Sequence, residues 1–208
     1  MVPRSGQVCG PDIACGSTKP ISISQHEDPV PMNNACGSAP FIRAARRSDL
    51  AAIANLQLAS WRDAYKSFLP PSYLRDRAEQ DVRAYWDRCR IRPEDLLLVA
   101  FDTQDEERMV GFIAVWCRPN PFIDNLHCDP TETGKGIGKT LMAAAFKQLL
   151  LRKKRTVALS VITENVRARD FYLRLGGNPL KRQKEEIFGN PVNVDIIVWN
   201  DIDTMGNW

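Results

Sequence analysis

Leu126-His127-Cys128-Asp129-Pro130-Thr131-Glu132-Thr133-Gly134-Lys135-Gly136-Ile137-Gly138-Lys139-Thr140-Leu141 is the segment on which the fold reading turns. It sets an extended run, a glycine-rich turn and the start of a helix in immediate succession. Glycines at alternate positions let backbone approach an anion closely, and free N–H groups at a helix start carry partial positive charge. Lys135 and Lys139 add formal charge. The segment therefore reads as a phosphate cradle, against the plainer reading of a strand-to-helix turn. Two phosphate motifs compete for it. Gly138-Lys139-Thr140 mimics the end of a P-loop, but the pattern needs glycine at position 133, where Thr133 stands. A dinucleotide fingerprint needs a third glycine among Lys139-Thr140-Leu141 and finds none.

The pattern outward from this turn alternates strand and helix signals. From about Gly136 to Lys153 the rows Ile137, Leu141, Ala145, Leu149 and Met142, Phe146, Leu150 recur every four residues, which predicts a long amphipathic helix. Upstream, Pro121 to Asp129 reads as extended. Asp95–Phe101 and Met109–Trp116 read as a hairpin across the polar stretch Asp102–Arg108. Helices are expected from Leu50, capped by Ser48 or Asp49, and from Tyr73 to Arg90; Phe41–Ala44 is a short strand. Downstream, Thr156–Thr163 is a strand, Asn165–Leu175 a helix stopped by Gly176-Gly177, and Val192–Trp199 a last strand.

Composition bounds the rest. The chain has 208 residues, 44% hydrophobic and 25% charged, with a net charge of +3. These are values of an ordinary globular protein, too mildly basic to argue for nucleic acid. No apolar run is long enough for a membrane span. Cys9, Cys15, Cys36, Cys89, Cys117 and Cys128 form neither CxxC pairs nor a dense framework. They read as free thiols of a cytoplasmic protein, with no metal site. Residues 1–40 hold six prolines and four glycines but no Leu, Phe, Tyr or Trp. That composition predicts a disordered extension before a domain at 41–208. The cluster Arg152-Lys153-Lys154-Arg155 reads as cations complementing a helix C-terminus.

A second motif lies on the next predicted helix: Asn165-Val166-Arg167-Ala168-Arg169-Asp170-Phe171-Tyr172-Leu173-Arg174-Leu175-Gly176-Gly177. Together with Thr133-Gly134-Lys135-Gly136-Ile137-Gly138, this resembles the two hallmark motifs of the GNAT acetyltransferase superfamily. Pro130, Leu141 and the segment Ser60-Trp61-Arg62-Asp63-Ala64-Tyr65 also match small bacterial members. The resemblance spans about Phe41 to Trp199. It implies a mixed α/β fold with a largely antiparallel central sheet flanked by helices. It also implies acetyl-CoA as acyl donor and direct acetyl transfer to an amine, with a small-molecule amine favoured over a protein amine.

By the same resemblance, Leu126, His127 and Cys128 pair their backbone with pantetheine. Thr133, Gly134, Lys135, Gly136, Ile137, Gly138 and Lys139 hold the diphosphate. Asn165 bonds pantetheine, and Tyr172 approaches the sulfur as general acid. Trp61 and Tyr65, four apart on one helical face, shape the acceptor pocket or pack in the core. Arg167 or Arg169 reaches the 3′-phosphate. Two positions depart from the family. Thr133 replaces an Arg or Gln. Phe122 stands where many members carry a catalytic Glu. Asp124, two residues on, shares the Phe122 face of a strand and is the candidate base, or else a hydrogen-bonded strand carboxylate. His127 falls on the opposite face by alternation and reads as structural. Cys128 reads as a small core residue. No nucleic-acid or membrane partner is expected, and exposed sheet edges make a homodimer plausible. A protein acetyltransferase, a non-catalytic acyl-CoA sensor and a nucleotide-phosphate enzyme are the rival readings.

Overall fold

The computed structural model describes residues 40–204 except 106. The expected extension at 1–40, with Cys9, Cys15 and Cys36, lies outside the described residues but for Pro40.

Seven strands form one sheet: β1 (Phe41–Ala44), β2 (Leu96–Phe101), β3 (Met109–Cys117), β4 (Pro121–Cys128), β5 (Val157–Ile162), β6 (Asn178–Ile187) and β7 (Asn190–Trp199). Their order is β1-β2-β3-β4-β5-β7-β6. Every neighbouring pair is antiparallel except β4 and β5. This is the mixed, largely antiparallel sheet that the family resemblance implied.

Helices cover both faces. One face carries α1 (Leu50–Ala64), α2 (Pro71–Asp76) and α3 (Ala78–Arg88); the other carries α4 (Ile137–Leu151) and α5 (Val166–Arg174). α1 buries Ile53, Ala54, Leu58 and Trp61 against Val99, Phe112 and Ala114 of β2 and β3. α4 buries Ile137, Leu141, Met142, Ala145, Phe146 and Leu149, most of the residues its four-residue rows had marked. Gly111 permits that approach: a Cβ there would sit 2.9 Å from side-chain atoms of both Ile137 and Leu141. Burying each such aliphatic side chain contributes about 1.5–3 kcal/mol.

Three expectations are corrected. The helix expected over 73–90 is two helices, broken at Arg77, whose φ of −128° leaves the helical region. Asp49 does not cap α1 with its side chain. It turns back to accept from the Arg43 guanidinium at 2.7 and 3.0 Å and from the Arg46 N–H at 2.6 Å. β6 went unseen because its residues Lys181 to Glu186 are charged or amide-bearing and mostly exposed. It is an edge strand that pairs with β7 alone, where such residues suit solvent on both faces. Arg152 and Arg155 tie loops together, beyond any dipole effect. Arg152 donates to the carbonyls of Pro93, Glu94 and Asp95, and Arg155 pairs with Asp201 and Asp203.

Two features position the site. The parallel pair β4–β5 is in register only at Phe122↔Ala158 and Ile123↔Leu159. Beyond Ile123 the strands part, while β5 stays paired with β7 as far as Ile162↔Val194. Beside the gap, β4 carries a bulge. Ala114 faces Asn125 but Val115 faces Ile123, leaving Asp124 as the extra residue.

Candidate active site

The gap between β4 and β5 opens into a cleft of about 670 Å³. Leu126, His127 and Cys128 line one side and Ser160 and Val161 the other. The glycine turn closes one end and α5 crosses beside it, contributing Asn165, Phe171 and Tyr172.

The turn is built for close approach by a ligand. Gly134 and Gly136 have φ of +85° and +80°, values that an L side chain rarely adopts. A Cβ on either would meet nothing within 4 Å, so the space beside them is open. Gly136 is the residue before α4, and the first helical N–H to find a carbonyl is that of Thr140, on Gly136 at 3.0 Å. Among the described residues the N–H groups of Ile137, Gly138 and Lys139 have no backbone partner, which leaves them for an anion. Gly138 packs beside Phe171 and Cys128: a Cβ there would lie 3.4 Å from Phe171 and 3.6 Å from the Cys128 sulfur, at ordinary contact distance. This arrangement fits the diphosphate of a coenzyme A molecule. Thr133 is exposed at the rim and Lys139 lines the cleft. Lys135 does not reach it: its Nζ lies 2.8 Å from Glu132.

Asn165 caps α5, its side-chain oxygen accepting from the Ala168 N–H at 3.2 Å. Two turns along the same helix, Tyr172 packs against Phe171 and Trp199. Burial pushes its phenol well above the usual range, and Tyr65 and Cys128 nearby add to the shift. It therefore holds its proton at neutral pH. Among the described residues no side chain or carbonyl partners its hydroxyl.

At the other end of the cleft, α1 faces β4. Asp124 accepts from the Tyr85 hydroxyl at 2.8 Å and from the Asn125 amide at 2.7 Å, both on Oδ2. Tyr65 lines the cleft, and burial beside Asp124 pushes its phenol up to about 12. Trp61 does not line it. Its side chain is buried beneath Tyr65, with ring centroids 5.3 Å apart, and packs edge-on to Phe188.

His127 corrects a further expectation. The bulge at Asp124 shifts the alternation by one, so Phe122, Asp124 and His127 all face the α1–α3 side. The ring sits beside Phe112 and Tyr65, and its Nδ1 lies 3.0 Å from the Ser60 hydroxyl. Burial lowers its pKa to about 4, so it is neutral at pH 7. Cys128 lines the cleft, its thiol pushed up to about 11 by burial and by Asp129, which makes it a poor nucleophile. Arg167 lines the cleft, whereas Arg169 turns toward Asp170 and Asp195.

Sequence reasoning missed Ser60 and Tyr85 as members of this site. No local pattern marks either. Ser60 reaches the cleft wall, and Tyr85 reaches Asp124 behind it, only through the docking of α1 and α3 on β3 and β4. Among the described residues no group of His, Cys, Asp and Glu is arranged to hold a metal ion.

The acetyltransferase (GNAT) family model matches residues 57–177, more than half of the chain. The chain belongs to this family. Solved structures share the GNAT fold over most of their length. The PaiA N-acetyltransferase of Thermoplasma acidophilum, in complex with coenzyme A, is 22% identical, with 76% of this chain and 98% of that one covered at a TM-score of 0.57. A chimera of the Vibrio cholerae spermidine N-acetyltransferase SpeG and hSSAT is 19% identical, covering 82% and 100% at 0.61. An Escherichia coli ribosomal-protein-alanine N-acetyltransferase is 17% identical, covering 77% and 93% at 0.57. Comparison with curated proteins gives no match. These GNAT relatives act on small molecules and on protein alike. No helix among the described residues is long and apolar enough to cross a membrane.

Proposed function

We propose that this GNAT protein is an acetyl-CoA-dependent N-acetyltransferase whose acceptor is a primary amine of a small molecule. The observation that carries the reading is the continuous cleft. It runs from an anion-ready glycine turn, past a protonated tyrosine, to a carboxylate held on a strand bulge.

When bound, acetyl-CoA supplies an acetyl thioester. The N–H groups of Gly136 to Lys139 and the Lys139 charge hold its diphosphate, and Leu126 to Cys128 and Asn165 orient the pantetheine. The amine nitrogen bonds to the acetyl carbon as the carbon–sulfur bond breaks. Asp124 receives the amine proton through a water, and the Tyr172 hydroxyl gives its own to the departing sulfur. Tyr85 and Asn125, both donating to Oδ2, keep the Asp124 carboxylate in one orientation. Acidic Asp63 and Asp124 on this wall suit a cationic amine.

Acetyl-CoA binding is measured calorimetrically, then thiol release across small primary amines, spermidine included, and across peptides. The expected result is micromolar binding and turnover with a small amine. Asp124→Asn is expected to lower kcat/KM by about 10- to 100-fold with acetyl-CoA affinity kept. No binding at high micromolar acetyl-CoA overturns the reading. Binding without turnover points to an acyl-CoA sensor, and turnover of peptides alone to a protein acceptor.

A further inference from the structure

Arg108 lies just before β3, yet its guanidinium reaches the base of the glycine turn. Nη1 donates to Asp102 at 3.0 Å; Nη2 donates to Asp129 at 3.1 Å, Thr131 at 3.0 Å and Glu132 at 2.9 Å. The second oxygen of Glu132 takes Lys135. Asp129 caps, and Glu132 ends, a single 3-10 turn, Pro130–Glu132, that leads directly into Thr133 and Gly134. The Glu132 side chain is only 10% exposed. Glu132 thus lines the cleft beside the glycine turn and Asp129 stands at the foot of that turn, so a diphosphate held there would be repelled by both, more strongly where water is excluded. Thr133 brings no cation, and Lys135 is engaged by Glu132. Arg108 does not line the cleft, so it is not itself a ligand for the diphosphate.

We propose that Arg108 is a positioning residue for acetyl-CoA binding. It neutralises Asp129 and Glu132 and pins the turn between them, so that the glycine N–H groups meet the diphosphate without a competing negative field. This rests on the acetyl-CoA reading of the cleft. It links the β2–β3 connection to the cradle, and it explains how the cradle tolerates a threonine at position 133.

The test compares two ligands by NMR titration of the full chain: acetyl-CoA, and S-acetylpantetheine, which lacks the diphosphate and nucleotide. Arg108→Ala is expected to weaken acetyl-CoA by roughly 10- to 100-fold and S-acetylpantetheine by less than about twofold. Arg108→Lys is expected to recover part of the loss. Arg108→Ala combined with Glu132→Gln is expected to recover most of it, because one of the two carboxylates is gone and Lys135 is released from it to offset the other; a residue that merely props the fold gives no such rescue. Equal weakening of both ligands, no weakening of acetyl-CoA, or no recovery in the double variant each overturns the proposal. Should Arg108→Ala not fold, Arg108→Lys serves alone, with a smaller loss that must still be confined to acetyl-CoA. A wild-type protein that does not bind acetyl-CoA overturns the acetyl-CoA reading, and the Arg108 role with it. Wild-type binding of acetyl-CoA that Arg108→Ala leaves unweakened overturns the Arg108 role alone.

Discussion

At one end of the cleft the wall is backbone: two glycines at positive φ, then the unpaired N–H groups that begin α4. At the other end the wall is side chains. Ser60 and Tyr65 come from α1, Asp124 and His127 from a bulged strand, and Tyr85 stands behind them on α3. The first end is assembled from residues adjacent in the chain, so its chemistry is generic: it suits an anion such as the proposed diphosphate, whatever the acyl acceptor. The second end is assembled from three elements far apart in sequence, so its shape can change with any of them. Solved structures of the same fold include a spermidine N-acetyltransferase chimera and a ribosomal-protein-alanine N-acetyltransferase.

The comparison is broken first at the backbone end. Gly136→Glu is expected to reduce acetyl-CoA affinity by about 100-fold or more, by strain at positive φ and by a carboxylate in the cradle. Calorimetry checks this, with a melting curve to show that the fold persists; unchanged affinity would remove the diphosphate from this turn. Tyr172→Phe separates chemistry from binding. Its kcat is expected to fall by roughly 100-fold while acetyl-CoA affinity holds, since only the donated proton is lost. Steady-state kinetics beside calorimetry decide it, and an unchanged kcat would assign the acid elsewhere.

The third and smallest effect on activity lies at His127, where the expected signature is in stability. Burial holds its folded-state pKa near 4, against an ordinary value of 6.5. Between those values the unfolded chain binds more protons than the folded one. The contribution to stability is therefore full above about pH 6.5 and is lost as pH falls toward 4, about 3 kcal/mol in all. Denaturant melts from pH 7 to 4 are expected to show that slope, and His127→Gln to flatten it. A slope unaltered by the substitution would place the titration on other groups.

The strand–turn–helix order around Gly134 to Gly138 was legible because its determinants are local. Glycine is required by the backbone angles, and the apolar rows of α4 follow at helical spacing. The hairpin of β2 and β3 was legible for the same reason. β6 was not, because an edge strand solvated on both faces needs no apolar alternation. The facing of His127 was not, because alternation assumes an unbroken strand, and one extra residue at Asp124 reverses it.

Sequence alone thus determined the glycine turn and the helices that flank it, consequences of backbone sterics and apolar periodicity, while the mixed sheet came from the family resemblance of its motifs. Only tertiary structure decided that β4 and β5 part beyond Ile123, that Trp61 is buried while Tyr65 faces the cleft, and that Ser60 meets His127. Those outcomes depend on how helices dock on a sheet and on where one residue is added to a strand. Neither is encoded in the spacing of neighbours along the chain.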